Sequence, residues 1–176
     1  MLDRVKLDTQ LIRDEALELY PYDDKTGHPI PPGGVCQGNL TTGVGHNLDA
    51  KPLSAAQKAV IGHDGRTLPI THDQAIWLLH CDEVDAMNDL THRWPWWSNL
   101  DDVRARVLIG LCFNMGAEKL SEFVHFMTDM CEMSNTPTAD LAALASRDLQ
   151  NSAWYGQTGK RGERYVSMVL TGQDAA

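Results

Sequence analysis

The chain has 176 residues, 43% of them hydrophobic and 22% charged, which is globular composition with enough length to bury a core and excludes a disordered or fibrous protein. Lys and Arg total 15 against 24 Asp and Glu, so the net charge is −9 with His neutral. That balance speaks against a nucleic-acid-binding domain, which needs a basic surface to displace phosphate counterions.

In chain order, residues 3–19 read as a helix, with Leu7, Leu11, Ile12, Ala16 and Leu19 at helical steps and Pro21 as its stop. The text then changes to Gly, Pro, Asn and Asp, and residues 20–53 form the β-rich lobe. Leu40-Thr41-Thr42-Gly43-Val44-Gly45-His46 is its best strand or hairpin, and 28–40 is a Pro/Gly loop. Thr71-His72-Asp73-Gln74 is a capping box that opens a helix to about Leu90. Ser98-Asn99-Leu100-Asp101 opens the next, whose apolar positions from Val103 to Met115 make it the most buried. Ser121 is expected to cap a helix carrying Phe123, Phe126, Met127 and Met130. Pro137 fits the first turn of a helix with Leu141, Leu144, Ala145 and Leu149 on one face. A last helix runs from about Lys160 to Leu170, before Gly172. The pattern predicts an α+β chain forming a single domain over 1–176, with a small N-terminal β-rich lobe and a larger helical lobe.

Several residues bring chemistry. Glu15 stands four residues after Leu11 and four before Leu19, beside an apolar face, where a carboxylate is partly desolvated; the alternative is a solvated helix glutamate. Asp24 follows just past the helix end in a segment that is also simply a good turn. Together they offer two carboxylates in different environments, as glycoside hydrolysis requires. Gly43 and Gly45 leave one strand face bare, so something can approach that backbone. His46 closes the strand. Asp82 is the lone charge in the stripe Ala75, Leu78, Leu79, Asp82 and Ala86, and a buried carboxylate needs a partner, so a His46–Asp82 pair is expected. That pairing makes His46 structural; a catalytic His46 is the alternative. In the basic string Lys160 to Arg164, Arg161 and Arg164 open a helix against the dipole preference, so these arginines should have partners elsewhere; the alternative is a solvated basic face.

Cys36, Cys81, Cys112 and Cys131 form no CxxC pair and read as free thiols, with Cys112 and Cys131 in apolar helical patterns. His63, His72, His80 and His92 are scattered, and adjacent His80 and Cys81 cannot face one ion on a helix, so no metal or other cofactor is expected. No segment approaches the run of about 18 apolar residues of a membrane span, and Met1–Asp8 has no signal-peptide core. The expectation is a chain made in the cytoplasm that does not insert into membranes.

Asp14-Glu15, Tyr22-x-Asp24-x-x-Gly27 and Thr41-x-Gly43-x-Gly45-His46 together resemble the phage-type lysozymes, the muramidase endolysins of tailed bacteriophages. The resemblance continues in order through Thr71–Asp82, Asp101–Gly116 and Trp154-Tyr155-x-Gln157-Thr158 to Arg161 and Arg164, nearly the whole chain. It implies a lysozyme-like fold with a cleft between the lobes and hydrolysis, with inversion, of the β-1,4 bond between N-acetylmuramic acid and N-acetylglucosamine. Glu15 falls at the general acid, Asp24 at the aspartate that stabilises the transition state or orients water, and Thr41 at the threonine that places the water, with Thr42 as the alternative. Asn47 and Phe113 match cleft-lining positions. Arg161 matches a partner of the catalytic glutamate, Arg164 a partner of Asp14, and His46–Asp82 an ion pair linking the lobes. The family habit also implies a monomer, a holin-type membrane lesion for access, and action on the periplasmic wall. The departure is the longer stretch between Asp24 and Thr41, whose excess falls in 28–40; such an insertion is tolerable, each doubling of loop length costing only about 0.6 kcal/mol. The rivals are a lytic transglycosylase using Glu15 alone, a Cys36/His46 amidase, and a non-catalytic glycan-binding module.

Overall fold

The computed structural model describes residues 1–31 and 34–175; Pro32 and Gly33 of the expected 28–40 loop, and Ala176, lie outside the described residues. The chain divides into two compact units, Asp8–Val84 and Met1–Leu7 with Asp85–Ala176. The segment 20–53 lies within the first of them.

Helix α1 spans Arg4–Glu15, so the expected helix over 3–19 ends four residues early. Ala16 takes φ 62°, the left-handed region that a residue with a Cβ enters only under strain, and it stops the helix directly after Glu15. The chain then runs extended as β1, Glu18–Asp23. Tertiary packing explains the change of period. Leu17 and Leu19 pack against a cluster of Leu40, Leu48, Leu53, Ile61, Ile70 and Leu78, and the Leu19 carbonyl accepts from Ile70 N–H at 2.9 Å. Pro21 therefore lies inside a strand instead of after a helix. It is tolerated because β1 is the edge of a sheet of order β1-β2-β3.

The expected strand over 40–46 is a hairpin: β2, Leu40–Gly43, and β3, His46–Asn47, pair antiparallel with Thr41 opposite Asn47 and Thr42 opposite His46. β1 pairs antiparallel with β2, Tyr22 opposite Thr41 and Asp23 opposite Leu40, with a bulge between Glu18 and Tyr22. Where described, the 28–40 stretch is attached to this sheet. Ile30 N–H donates to the Pro21 carbonyl at 2.9 Å, Tyr22 bridges to Pro29, and Ile30 and Cys36 pack on the apolar cluster. A short helix α2, Ala55–Ile61, was not anticipated, although Ser54 and Gln57 form a complete capping box at its start. Helix α3 runs His72–Arg93 behind the expected Thr71–Gln74 box, Gln74 N–H to Thr71 Oγ1 at 3.2 Å and Thr71 N–H to Gln74 Oε1 at 2.8 Å.

The second unit is helical. After a 3-10 turn over Pro95–Asn99, α4 spans Asp102–Leu120, capped by Asp101 and broken at Gly116 by φ 79°. Its residues from Val107 to Leu111 are almost wholly enclosed, as the apolar spacing predicts. Ser121 closes α4 and does not open the next helix, because its hydroxyl donates to the Glu118 carbonyl at 2.5 Å. Helix α5, Val124–Asn135, starts behind Phe123 without a side-chain cap. Helix α6, Ala139–Gln150, is capped by Thr138, so Pro137 precedes the helix. Its buried face carries Ala142, Ala145, Ser146 and Leu149, while Leu144 is exposed. Helix α7, Ala153–Thr158, is additional, and α8, Lys160–Thr171, ends at left-handed Gly172 much as expected. Helix α6 packs on α5 and α8, and α4 also packs on α8. A Cβ at Gly110 would lie 2.0 Å from the Tyr165 hydroxyl, so glycine permits the α4–α8 approach. The four cysteines are free thiols, and burial pushes the Cys112 thiol up to about 12. Among the described residues no helix is long and apolar enough to cross a membrane.

Candidate active site

Glu15 is the last residue of α1 and is half-buried. The hairpin turn comes up against it. A Cβ at Gly45, where φ is +69°, would sit 3.2 Å from Glu15 Cβ and Cγ and 3.4 Å from Oε2. Only glycine both adopts that backbone and leaves the carboxylate its space. Tyr22, opposite Thr41 in the ladder, is buried, and its phenol is pushed up to about 12, first by burial and then by the charges of Glu15, Glu18 and Asp24. It therefore stays a neutral hydroxyl within electrostatic reach of both candidate carboxylates. Sequence reading had Tyr22 only as part of a motif and gave it no role.

Asp24 is exposed but held. Its Oδ1 accepts from Asn39 N–H at 2.7 Å and its Oδ2 from Asn39 Nδ2 at 2.8 Å. The preceding Asp23 is enclosed and grips the returning chain: its oxygens accept from Lys25 N–H at 2.9 Å, Gln37 N–H at 2.7 Å and Gly38 N–H at 3.0 Å. The two aspartates thus close the long loop on its far side and set Leu40 and Thr41 into register with β1. Gly38 leaves room for that carboxylate, since a Cβ there would lie 2.1 Å from Asp24 Oδ1. Gly38→Ala is expected to break the Asp24–Asn39 bonds and cost about 1–3 kcal/mol, read as a lower urea midpoint.

The backbone donors, that of Gln37 first, hold the Asp23 carboxyl below the usual carboxylate range. The Leu40 N–H, followed by Arg66, does the same for Asp49. A carboxyl whose pKa is lower folded than unfolded stabilises above its unfolded value and loses that contribution as pH falls through the folded one. Stability is therefore expected to decline below about pH 4, and Asp23→Asn to flatten that acid limb. An acid limb of unchanged steepness in Asp23→Asn would refute this role.

Thr41 and Thr42 lie on opposite faces of β2. Thr42 shares its face with Leu40 of the apolar cluster, and both threonines are buried, Thr42 at 0% and Thr41 at 3% exposed. Thr41 donates to the Asn39 carbonyl at 3.3 Å, so the same residue that holds Asp24 also orients Thr41. Asn47 Oδ1 accepts from Asp49 and Ala50 N–H at 3.0 and 2.9 Å, a turn-capping use of that oxygen. The His46–Asp82 pair is present, Nδ1 to Oδ2 at 2.7 Å, with the His46 side chain 1% exposed. It joins β3 to α3 inside the Asp8–Val84 unit. Lys51, which sequence reading missed, completes it: its Nζ donates to Asp82 Oδ1 at 2.6 Å and its carbonyl meets His46 Nε2 at 2.9 Å.

No family model matches the chain. The chain is 29% identical over 167 residues to the probable T4-type lysozyme 2 of Dictyostelium discoideum, across 88% of this chain and 93% of that protein. The chain is similar to the T4-type lysozymes. It is also 28% identical over 173 residues to the pre-baseplate central spike protein Gp5 of Enterobacteria phage T4, covering 92% of this chain but spanning only 27% of that protein.

The remaining positions that the lysozyme resemblance singles out are distributed as follows. Asp14, beside Glu15, has an enclosed side chain and lies 3.5 Å from the Arg13 guanidinium. Phe113, Arg161 and Arg164 belong to the other unit: Phe113 is half-buried on α4, and both arginines are half-buried on the first turns of α8. That unit also carries a cavity of about 730 Å³ lined by Asn114, Phe123, Phe126 and Trp154, where Trp154 Nε1 donates to Asn114 Oδ1 at 3.0 Å. The lining is mixed, with Lys119, Glu122, Asp148 and Asn151 beside the apolar side chains.

Proposed function

We propose that this protein is a peptidoglycan-degrading glycoside hydrolase, an N-acetylmuramidase acting on the β-1,4 bond between N-acetylmuramic acid and N-acetylglucosamine. The observation that carries the reading is the gathering of Glu15, Tyr22, Asp24 and Thr41 where α1 gives way to the sheet, in a chain similar to T4-type lysozymes. In the proposed reaction Glu15 gives its proton to the leaving glycosidic oxygen as the C1–O bond breaks. A water oriented by Thr41 adds to C1 with inversion, and its proton passes to Asp24. By the resemblance, Arg161 and Arg164 are supporting residues, and Asn47 and Phe113 are saccharide-binding residues. His46 and Asp82 hold the sheet on α3 and touch no substrate.

The finer reading is an endolysin, acting alone and without cofactor on the periplasmic wall after a holin-type lesion admits it from the cytoplasm, leading to host lysis. The Cys36 amidase alternative is disfavoured by chemistry. Burial, and next the Asp23 charge, push the Cys36 thiol up, away from a reactive thiolate.

Mass spectrometry of fragments released from purified peptidoglycan tests the reading. Reducing-end N-acetylmuramic acid is the expected product. Anhydro-muramic ends would move the protein to the lytic transglycosylases, free stem peptides to the amidases, and binding without any product to the glycan-binding modules.

A further inference from the structure

Away from Glu15, among the described residues, one group of side chains converges its metal-ligating atoms. Asp8 on α1 and His80 and Glu83 on α3 each present one ligand atom, all within 4.8 Å of one another. His80 and Glu83 are three residues apart and share a helix face. Asp8 meets them from α1, its Oδ2 3.0 Å from His80 Nε2. Glu83 is 0% exposed, an unusual burial for a carboxylate, and is held by a further interaction of its own. The second oxygen of Asp8, Oδ1, is enclosed and accepts no hydrogen bond. The contact with His80 uses Oδ2 and leaves Oδ1 for another partner, on a side chain that is 27% exposed. A divalent cation can take that oxygen as a ligand together with the Glu83 carboxylate.

We propose that Asp8, His80 and Glu83 form a binding site for a first-row divalent transition metal, with Zn²⁺ as its type. The donor set decides the class. One imidazole and two carboxylates suit Zn²⁺ and its neighbours, whereas Ca²⁺ and Mg²⁺ prefer oxygen alone. The His80 side chain is 45% exposed, which opens an entry path and leaves room for water as a further ligand. The ion would cross-link α1 to α3 within the Asp8–Val84 unit, seven residues before Glu15 on the same helix. Its effect is on the stability of that unit, so the proposal stands apart from the enzymatic reading.

The full chain, freed of metal with a chelator, is titrated calorimetrically with ZnCl₂ near neutral pH and melted with and without the ion. One Zn²⁺ per chain with a micromolar dissociation constant is expected, with the melting temperature raised by about 5 °C. His80→Ala, at a half-exposed position, and Asp8→Asn are each expected to weaken binding at least about tenfold. His63→Ala is expected to change nothing. Absence of binding up to about 1 mM Zn²⁺ overturns the proposal. So does binding that survives His80→Ala, or equal binding of Ca²⁺.

Discussion

Glu15→Gln is expected to lower peptidoglycan turnover by about 10³-fold or more while leaving stability within about 0.5 kcal/mol of the parent. The amide keeps the size and shape of the carboxyl group but has no proton of suitable acidity to give the leaving oxygen. The site can accommodate it: Gly45 leaves Glu15 its space, and Tyr22 keeps a neutral hydroxyl at either residue. Turnover and melting must be measured on the same preparation, because Glu15 closes α1 and a folding defect would imitate a catalytic one. Activity within tenfold of the parent, with the fold intact, would falsify the assignment of the acid. Loss of activity accompanied by a collapsed melting curve would place Glu15 among structural residues instead.

The largest stability effect is expected at Asp82. Asp82→Asn should destabilise by about 3 kcal/mol and lower the melting temperature by roughly 6–12 °C. The carboxylate uses its two oxygens on two partners, His46 at 2.7 Å and Lys51 at 2.6 Å, and is itself only 10% exposed. An amide offers one acceptor and no charge, so one donor loses its partner. His46, 1% exposed, cannot turn to water for another. Lys51 is 43% exposed and can, so Lys51→Met is expected to cost much less. The same Asp82→Asn chain should retain most of its peptidoglycan turnover where it remains folded, since the pair lies behind the sheet and not at Glu15. An unchanged melting curve would show that the pair contributes nothing net to folding.

Much of this was readable in advance wherever the signal is local or periodic. The Thr71–Gln74 box, the buried stripe of α4, the hairpin glycines and the Gly172 stop depend on residues within one or two turns of each other. Even the long-range His46–Asp82 pair was legible, because one charge in an apolar stripe demands a partner and few candidates existed. Local rules failed where two compete for the same residues. Residues 17–19 fit helix spacing, yet the strain at Ala16 and the apolar cluster pull them into β1. Ser121 is as good a closing residue as an opening one, and its hydroxyl bond to the Glu118 carbonyl makes it the former.

By itself, then, the sequence determined the fold class and the order of most elements, since these follow from periodicity and turn chemistry, and an ordered resemblance named candidates for the acid, the aspartate and the threonine. Only the tertiary structure decided how the long loop is closed, with Asp23 and Asp24 gripping the backbone at 37–39 so that Thr41, not Thr42, stands opposite Tyr22. It alone also brought Asp8 to His80 and Glu83. The physical reason is common to both. These contacts join residues far apart in the chain through single hydrogen bonds and carboxylate oxygens, which leave no period in the sequence and take shape only when separate elements pack.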